Sequence, residues 1–119
     1  MPPDRDIASL HDMVQAAKNV RNFVAGMDRQ SFLGDIRTQS AVIHQVLIIG
    51  EACKRLSQAF RTSHPNVPWT LIARTRDILI HHYEGVDLEE IWRIVERDIP
   101  TILNDLNSIA HDLGLQDEP

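Results

Sequence analysis

Apolar residues recur three and four positions apart along almost the whole chain, which is the spacing of one face of an α-helix. The longest stripe comprises Leu88, Ile91, Trp92, Val95, Ile99, Ile102, Leu106, Ile109 and Leu113. The only run that could equally be a strand is residues 78–80. The pattern therefore predicts an all-α fold, an antiparallel bundle of four to five helices that each bury one face.

Breaker residues divide this pattern into segments. The predicted helices span residues 6–26, 35–60, 68–83 and from 87 onward, with a connector at 27–34 and a loop at 61–67. Gly26 and Gly85 should end the first and third helices, and Asp87 should cap the last. Pro100 predicts a kink between residues 96 and 100, because proline lacks the backbone N–H that an α-helix needs. The tail from Gly114 is expected to fray.

The second predicted helix is apolar nearly all round at residues 46–49. A helix that is apolar on every side is buried on every side, and a small bundle cannot supply all of that cover. We therefore expect a second copy of the chain to cover part of it, which predicts a homodimer. The stretch from His44 to Glu51 is interpreted as packing rather than chemistry.

Length and composition favour one domain. The 119 residues, 43% hydrophobic and 24% charged, are typical of a globular chain, and we assign residues 1–119 to one domain with a core at about 6–112. Cys53 is the only cysteine, so one chain cannot form a disulfide or a thiolate metal site. The sequence shows neither a membrane-spanning run nor a signal peptide, so no membrane is expected and the expected location is the cytoplasm.

The histidines are the first candidates for chemistry: His11, His44, His64, His81, His82 and His111. Metal-binding histidines on helices stand three or four apart, and none of these pairs does, so we predict no metal site. The sequence has no glycine-rich phosphate loop and implies no cofactor. Ser57, Ser63 and Cys53 lack neighbours that would activate a nucleophile.

Charge is unevenly distributed along the chain. The formal net charge is −5, which by itself argues against nucleic acid as a partner. Residues 53–83, however, carry five basic side chains and one acidic one, so this segment is +4 and the remainder is −9. A local basic segment predicts phosphate binding better than the total does, although Arg55 and Arg61 could equally be solvated residues at a helix end.

Arg76 and His81 lie within this basic segment and have side chains that could act together on a phosphate. Arginine offers a fork of charged donors to phosphate oxygens, and histidine exchanges protons near neutral pH. Together they could cleave RNA without a metal: His81 would take the proton of a ribose 2′-hydroxyl or protonate the leaving oxygen, and Arg76 would stabilise the phosphate. Tyr83 could orient the phosphate or accept a modification.

One straight helix does not gather these residues. Arg76 and Tyr83 lie within about 20° of one stripe, whereas His81 lies about 140° from Arg76. Three alternatives remain open: the helix loosens before Gly85, the Arg76 side chain bends round, or a twofold-related copy completes the site.

The run from Arg76 to Tyr83 resembles the motif of the HEPN superfamily: arginine, four residues of which the first is polar, histidine, any residue and tyrosine. The flanking segments resemble its HepT-like branch: IGEACKRLS at 49–57, Pro68-Trp69, Gly85-Val86-Asp87 and Asp98-Ile99-Pro100. The likeness covers residues 6–112. Arg74-Thr75 stands where many relatives are apolar, and Asp77 stands where asparagine is common.

The resemblance implies an all-helical fold and a dimer formed through the motif face. It implies a metal-independent ribonuclease toxin of a toxin–antitoxin pair, whose partner is an MNT-type nucleotidyltransferase antitoxin. Arg76 and His81 would be the catalytic pair, and Tyr83 a motif residue that the partner adenylylates with ATP. Asp77 would support the site, and His82 is a further candidate that could instead face solvent.

Three functional hypotheses follow. The first is a homodimeric endoribonuclease toxin that cuts RNA in a cleft between the subunits. The second is a non-catalytic HEPN module that binds nucleotides or positions a nucleotidyltransferase, and the third is a purely structural bundle. Loss of RNA cleavage on substitution of Arg76 or His81 would distinguish the first from the other two.

Overall fold

The computed structural model describes residues 2–81 and 85–115, except for the side chains of residues 78, 80 and 81. Its helices are α1 (Asp4–Phe23), α2 (Arg29–Leu33), α3 (Ile36–Arg55), α4 (Gln58–Ser63), α5 (Trp69–His81), α6 (Leu88–Arg93) and α7 (Ile99–Asp112), with a π-helical segment (Ile94–Asp98) between α6 and α7. These ranges contain no β-strand, and the predicted all-α fold is confirmed.

The long helices α1 and α3 pack antiparallel along their whole length. Asp6 in the first turn of α1 accepts hydrogen bonds from Ser57, just beyond the end of α3. Further along, Asn19 donates to Gln45 at 3.2 Å. Residue numbers thus rise along one helix as they fall along the other. Helix α5 is also antiparallel to α3, because Gly50 contacts Arg76 while Cys53, further along α3, contacts the earlier residue Trp69. Helix α7 packs against α1.

The core is one continuous cluster of buried apolar side chains drawn from every helix. Its largest fully buried members are Phe32, Leu10, Met13, Ile91, Ile99, Leu106, Val20 and Val42. Each buried side chain of this size stabilises the fold by about 1.5–3 kcal/mol relative to an exposed one. No helix in the described ranges combines the length and the apolarity needed to cross a bilayer.

The predicted connector at 27–34 contains a helix instead. Asp28 caps α2 by accepting hydrogen bonds from the backbone N–H and the hydroxyl of Ser31. The ring of Phe32, which is fully buried, lies 5.2 Å from the ring of Trp92, centroid to centroid. This long-range contact between α2 and α6 anchors a segment whose own sequence is too short to show a helical stripe.

The predicted second helix, residues 35–60, is wrong at its carboxyl end. Helix α3 stops at Arg55 because Leu56 is extended (φ −65°, ψ 140°), and α4 then begins. The Ser57 hydroxyl accepts a hydrogen bond from the N–H of Phe60, so it caps α4. The predicted loop at 61–67 is likewise helical through Ser63.

The last helical region begins where predicted. Asp87 caps α6 by accepting hydrogen bonds from the N–H groups of Glu89 and Glu90. The predicted kink at residues 96–100 overlaps a π-helical segment (Ile94–Asp98), and this wider turn precedes Pro100, which cannot donate a backbone hydrogen bond. Gly26 and Gly114, in the left-handed region at φ +78° and +75°, follow α1 and α7.

Candidate functional site

The described structure brings together part of the predicted site. Arg76 and Asp77 lie on α5, and His81 is its last residue, described by its backbone alone. His82 and Tyr83 lie outside the described residues, as do residues 116–119 of the tail expected to fray. The geometry of the site is therefore the geometry around Arg76.

Helices α3 and α5 cross in close contact at Gly50 and Arg76. A Cβ atom added to Gly50 would overlap the Cβ of Arg76 and lie 3.2 Å from its Cα. Only glycine allows α5 to approach so closely, since any larger residue would push the helices apart. Three residues further along α3, the Cys53 thiol contacts the Trp69 carbonyl oxygen at 3.3 Å. The crossing thus fixes where Arg76 leaves the helix.

Two carboxylates hold the guanidinium of Arg76. Its Nε donates to Oε2 of Glu51 on α3 at 2.9 Å, and its Nη1 donates to Oδ1 of Asp77 at 3.1 Å. Oδ1 of Asp77 also accepts from Nζ of Lys54 at 3.0 Å. Among the described residues, Nη2 of Arg76 has no hydrogen-bond partner. With 26% of its side chain exposed, Arg76 retains donors for an incoming anion.

Ion pairing shifts the pKa values of Asp77 and Arg76 in opposite directions. Hydrogen bonds from Lys54 and then from Arg76 hold the pKa of Asp77 below its usual value. The hydrogen bond to Asp77, with the charge of Glu51, raises the pKa of Arg76 further above neutral pH. Two cations and two anions leave the cluster without net charge. Because the cluster has no net charge, its interaction with an anion depends on the direction of the N–H groups of Arg76.

The basic segment counted along the sequence is largely ion-paired in three dimensions. Arg55 Nη2 lies 3.4 Å from Oδ2 of Asp12 on α1, which the linear count left out, as it left out Glu51. Within the described ranges, Arg61 and Arg74 are the cations of this segment without an acidic partner. The segment thus offers few unpaired charges to a phosphate backbone.

Sequence reasoning missed Glu51. The stretch from His44 to Glu51 was predicted to be packing, and Val46 and Ile49 are indeed buried, but His44 and Glu51 are exposed. The available signal was Gly50, because a glycine inside a helical pattern often marks a close approach. The residue after such a glycine, here Glu51, lies next to the helix that approaches, here α5.

Helix α5 remains regular through His81, so it does not loosen within the described residues. Positions 76 and 81 are therefore separated by about 140° around its axis. The Arg76 guanidinium is held against α3 by Glu51. Of the three alternatives, loosening is thus excluded as far as His81.

Nucleophile and metal chemistry can be examined at the described side chains. Burial raises the pKa of the Cys53 thiol to about 11, which keeps it protonated. The Ser57 hydroxyl donates to Asp6 Oδ2 at 2.6 Å and caps α4, a structural role. In the described part of the chain, no three His, Cys, Asp or Glu side chains are grouped to hold a metal ion.

Comparison with known proteins gives a coherent result. Residues 13–109 match the profile of a family described as ribonuclease HepT-like. The chain is 40% identical over 117 residues to a candidate RNase of Methanocaldococcus jannaschii, covering 98% of this chain and 97% of that one. It is 42% identical over 93 residues to the probable ribonuclease HepT of Thermococcus cleftensis (78% and 84% covered). No solved structure gives a significant match.

Proposed function

The chain belongs to the ribonuclease HepT-like family of the HEPN superfamily, and from this we propose that it is a metal-independent endoribonuclease in which Arg76 and His81 act on RNA. The observation that carries the proposal is the Arg76 guanidinium, which Glu51 and Asp77 hold while Nη2 has no partner among the described residues and can donate to a phosphate oxygen. Such a fixed donor stabilises charge that develops on a phosphate during reaction.

The proposed reaction is an internal transesterification. The imidazole of His81 takes the proton of a ribose 2′-hydroxyl, and the 2′-oxygen forms a bond to phosphorus. The bond from phosphorus to the 5′-oxygen breaks, and that oxygen accepts a proton from a histidinium. The products are a 2′,3′-cyclic phosphate and a free 5′-hydroxyl. Arg76 donates to the non-bridging oxygens, on which negative charge grows in the transition state.

The cleavage experiment compares four proteins on single-stranded RNA in the presence of a chelator. Wild type should cleave, and Arg76→Ala and His81→Ala should each lose at least about a hundredfold in rate. Arg29→Ala is the matched control. Arg29, on α2, also pairs with a carboxylate, that of Glu89 on α6, and it lies outside the proposed site. Undiminished cleavage by both site variants would refute the proposal. RNA binding without any cleavage would favour the non-catalytic module.

We further propose that the protein acts as a homodimer. Ile43, Leu47 and Ile48 on α3 are only partly buried, and Leu71 on α5 is 60% exposed. A second copy would cover these apolar side chains and could bring its own His81 toward Arg76, across the 140° that one helix leaves between them. Sedimentation at micromolar concentration tests this, and a mass near 13.6 kDa would contradict it.

The proposed biological role is that of a toxin neutralised by an MNT-type nucleotidyltransferase. The support is family membership, together with Tyr83, the tyrosine that ends the motif. Transfer of AMP to Tyr83 would place a bulky anion beside the RNA site and repel phosphates. Co-expression with an MNT-type nucleotidyltransferase should add AMP to the intact mass, and Tyr83→Phe should prevent this. An unmodified wild-type chain would count against this mode of neutralisation.

A further inference from the structure

The guanidinium of Arg76 is tied to the neighbouring helix by one side chain. Glu51 Oε2 accepts the Nε hydrogen at 2.9 Å across the α3–α5 crossing. We propose that Glu51 is a positioning residue for the ribonuclease site, which holds Nε of Arg76 so that Nη2 is directed at the substrate phosphate. This inference rests on the proposed function, since it assigns to Glu51 a role in that reaction.

The other partner of Arg76 is a weaker link to α3 than Glu51. Asp77 is the next residue on α5, and it reaches α3 only through Lys54, whose Nζ donates to the same Oδ1 at 3.0 Å. Both of these side chains are more exposed than that of Arg76, so this indirect link constrains the guanidinium less than the direct bond from Glu51 does. Without Glu51, the guanidinium would have no hydrogen bond to α3 among the described residues. A long side chain freed in this way samples many rotamers, and few of them direct Nη2 at one point.

Gly50 and Glu51 act as adjacent parts of one arrangement. Gly50 allows the backbone of α5 to come close, and Glu51 then reaches the guanidinium that leaves α5 at that point. The sequence of α3 therefore determines both the distance to Arg76 and its orientation. This is the arrangement expected of a side chain that positions a catalytic residue from a rigid element.

A stabilising role for the pair is the main rival explanation. Half of the Glu51 side chain, 49%, is exposed, and exposed ion pairs contribute little to the free energy of unfolding. The loss of Glu51 should therefore leave the unfolding midpoint almost unchanged. Catalysis is more sensitive, because a displacement of about 1 Å in a catalytic group can slow a reaction by about a hundredfold.

The kinetic constants separate positioning from substrate binding. Glu51 is an anion beside the proposed phosphate position, so its removal should not weaken the binding of RNA. We expect Glu51→Ala to lower kcat by about tenfold to a hundredfold without raising KM. Glu51→Gln keeps an oxygen that can accept from Nε and should recover most of the lost rate. A role in holding RNA would instead raise KM.

The experiment measures kcat and KM for wild type, Glu51→Ala, Glu51→Gln and the matched control Glu89→Ala. Glu89 is a comparably exposed carboxylate that pairs with Arg29 on α2, so its removal should leave both constants unchanged. A double-mutant cycle with Arg76→Ala completes the set. If Glu51 acts through Arg76, its removal should have no further effect in the Arg76→Ala background.

Failure of this inference differs from failure of the proposed function. If wild type cleaves no RNA, the proposed function fails and this inference falls with it. If wild type cleaves and Glu51→Ala keeps its full kcat, only this inference is refuted. The NMR resonance of the Arg76 Nε–H group, assigned through Arg76→Lys, gives a second readout. It should shift in Glu51→Ala, and an unchanged resonance would refute the positioning role even if kcat fell.

Discussion

Gly50 is the residue on which the placement of Arg76 depends most directly. It lies in the interior of α3, where glycine costs about 1 kcal/mol relative to alanine. This loss of helix stability occurs at a position where α5 lies too close to α3 for a Cβ atom. The glycine therefore favours a particular approach of two helices at the expense of the intrinsic stability of one.

Gly50→Ala should disturb both stability and the site. The added methyl group would overlap the Cβ of Arg76, so α5 must move away, and overpacking of this kind costs about 1–3 kcal/mol. Gly34→Ala is the control, because a Cβ there would meet only ordinary contacts, 3.5 Å from the Gln30 carbonyl oxygen. Urea unfolding and RNA cleavage should both be impaired in Gly50→Ala alone. An unchanged unfolding midpoint would contradict the close crossing.

Cys53 predicts a loss of stability at alkaline pH. In the unfolded chain the thiol has a pKa of about 8.5, whereas burial raises the pKa of the folded thiol to about 11. The folded state binds more protons between these values, so this contribution is complete below about pH 8.5 and is lost as the pH rises through 11. The free energy of unfolding should fall less steeply over this range in Cys53→Ala than in wild type. Equal slopes would contradict a buried neutral thiol.

At the scale of the helices, the junction between α3 and α4 is fixed by a residue that is distant in sequence. Both oxygens of the buried Asp6 carboxylate accept hydrogen bonds from Ser57, at 2.8 Å from its N–H and 2.6 Å from its hydroxyl. The same hydroxyl accepts from the N–H of Phe60. One serine therefore caps α4 and joins the junction between α3 and α4 to α1.

Ser57→Ala should destabilise the protein by about 1–3 kcal/mol, because it removes a helix cap and leaves an oxygen of the buried Asp6 without its partner. Ser63→Ala is the matched control: Ser63 is exposed, and its hydroxyl donates only to the Ala59 carbonyl oxygen within α4. Unfolding by urea gives both values. Equal midpoints for the two variants would show that the Asp6–Ser57 contact contributes little.

The junction also shows where prediction from sequence reaches its limit. Cys53, Leu56 and Phe60 continue the three-and-four spacing across the break, so the pattern alone predicts one long helix. Asp6, which accepts hydrogen bonds from Ser57 at the break, lies 51 residues away, and periodicity contains no such information. The Asp87 cap, by contrast, is set by neighbouring residues and was predicted correctly. Capping preferences of neighbouring residues thus predicted the start of α6, whereas they could not predict the tertiary contact between Asp6 and Ser57.

The same distinction applies to the site. Arg76, His81 and Tyr83 lie within one short run and could be identified together, whereas Glu51 is 25 residues from its partner. The α3–α5 crossing brings them together, and a sequence reading that assigned Glu51 to packing had no means of pairing it with Arg76. Interior glycines deserve the same scrutiny as charged residues, because they indicate where helices meet.

At the scale of the whole molecule, charge is distributed as local pairs on an acidic protein. The net charge is −5, and Lys54, Arg55 and Arg76 each have a carboxylate partner. In the basic segment at residues 53–83, only Arg61 and Arg74 among the described cations lack an acidic partner, so this segment offers an RNA strand few unpaired charges. Binding over a broad surface would bring phosphates close to many uncompensated acids.

The affinity for RNA should depend only weakly on salt. Each phosphate contact with single-stranded RNA contributes a slope of about −0.7 to a plot of log affinity against log salt. One Arg76 contact per subunit of a dimer therefore predicts a slope of about −1.4. Filter binding at several salt concentrations measures it, and Arg76→Ala should flatten it. A slope near −5 would indicate a broad basic surface that the ion pairs do not suggest.

The Asp6–Ser57 contact also has a consequence for folding during synthesis on the ribosome. Chains grow by about 5–20 residues per second, so Ser57 is added roughly 3–10 seconds after Asp6. During that interval, the Asp6 carboxylate on α1 lacks its Ser57 partner while the residues of α3 are still being added. Arg76 and His81 are added later still, after the scaffold that receives them has been synthesised. The nascent chain thus contains its supporting helices before it contains any of its proposed catalytic residues.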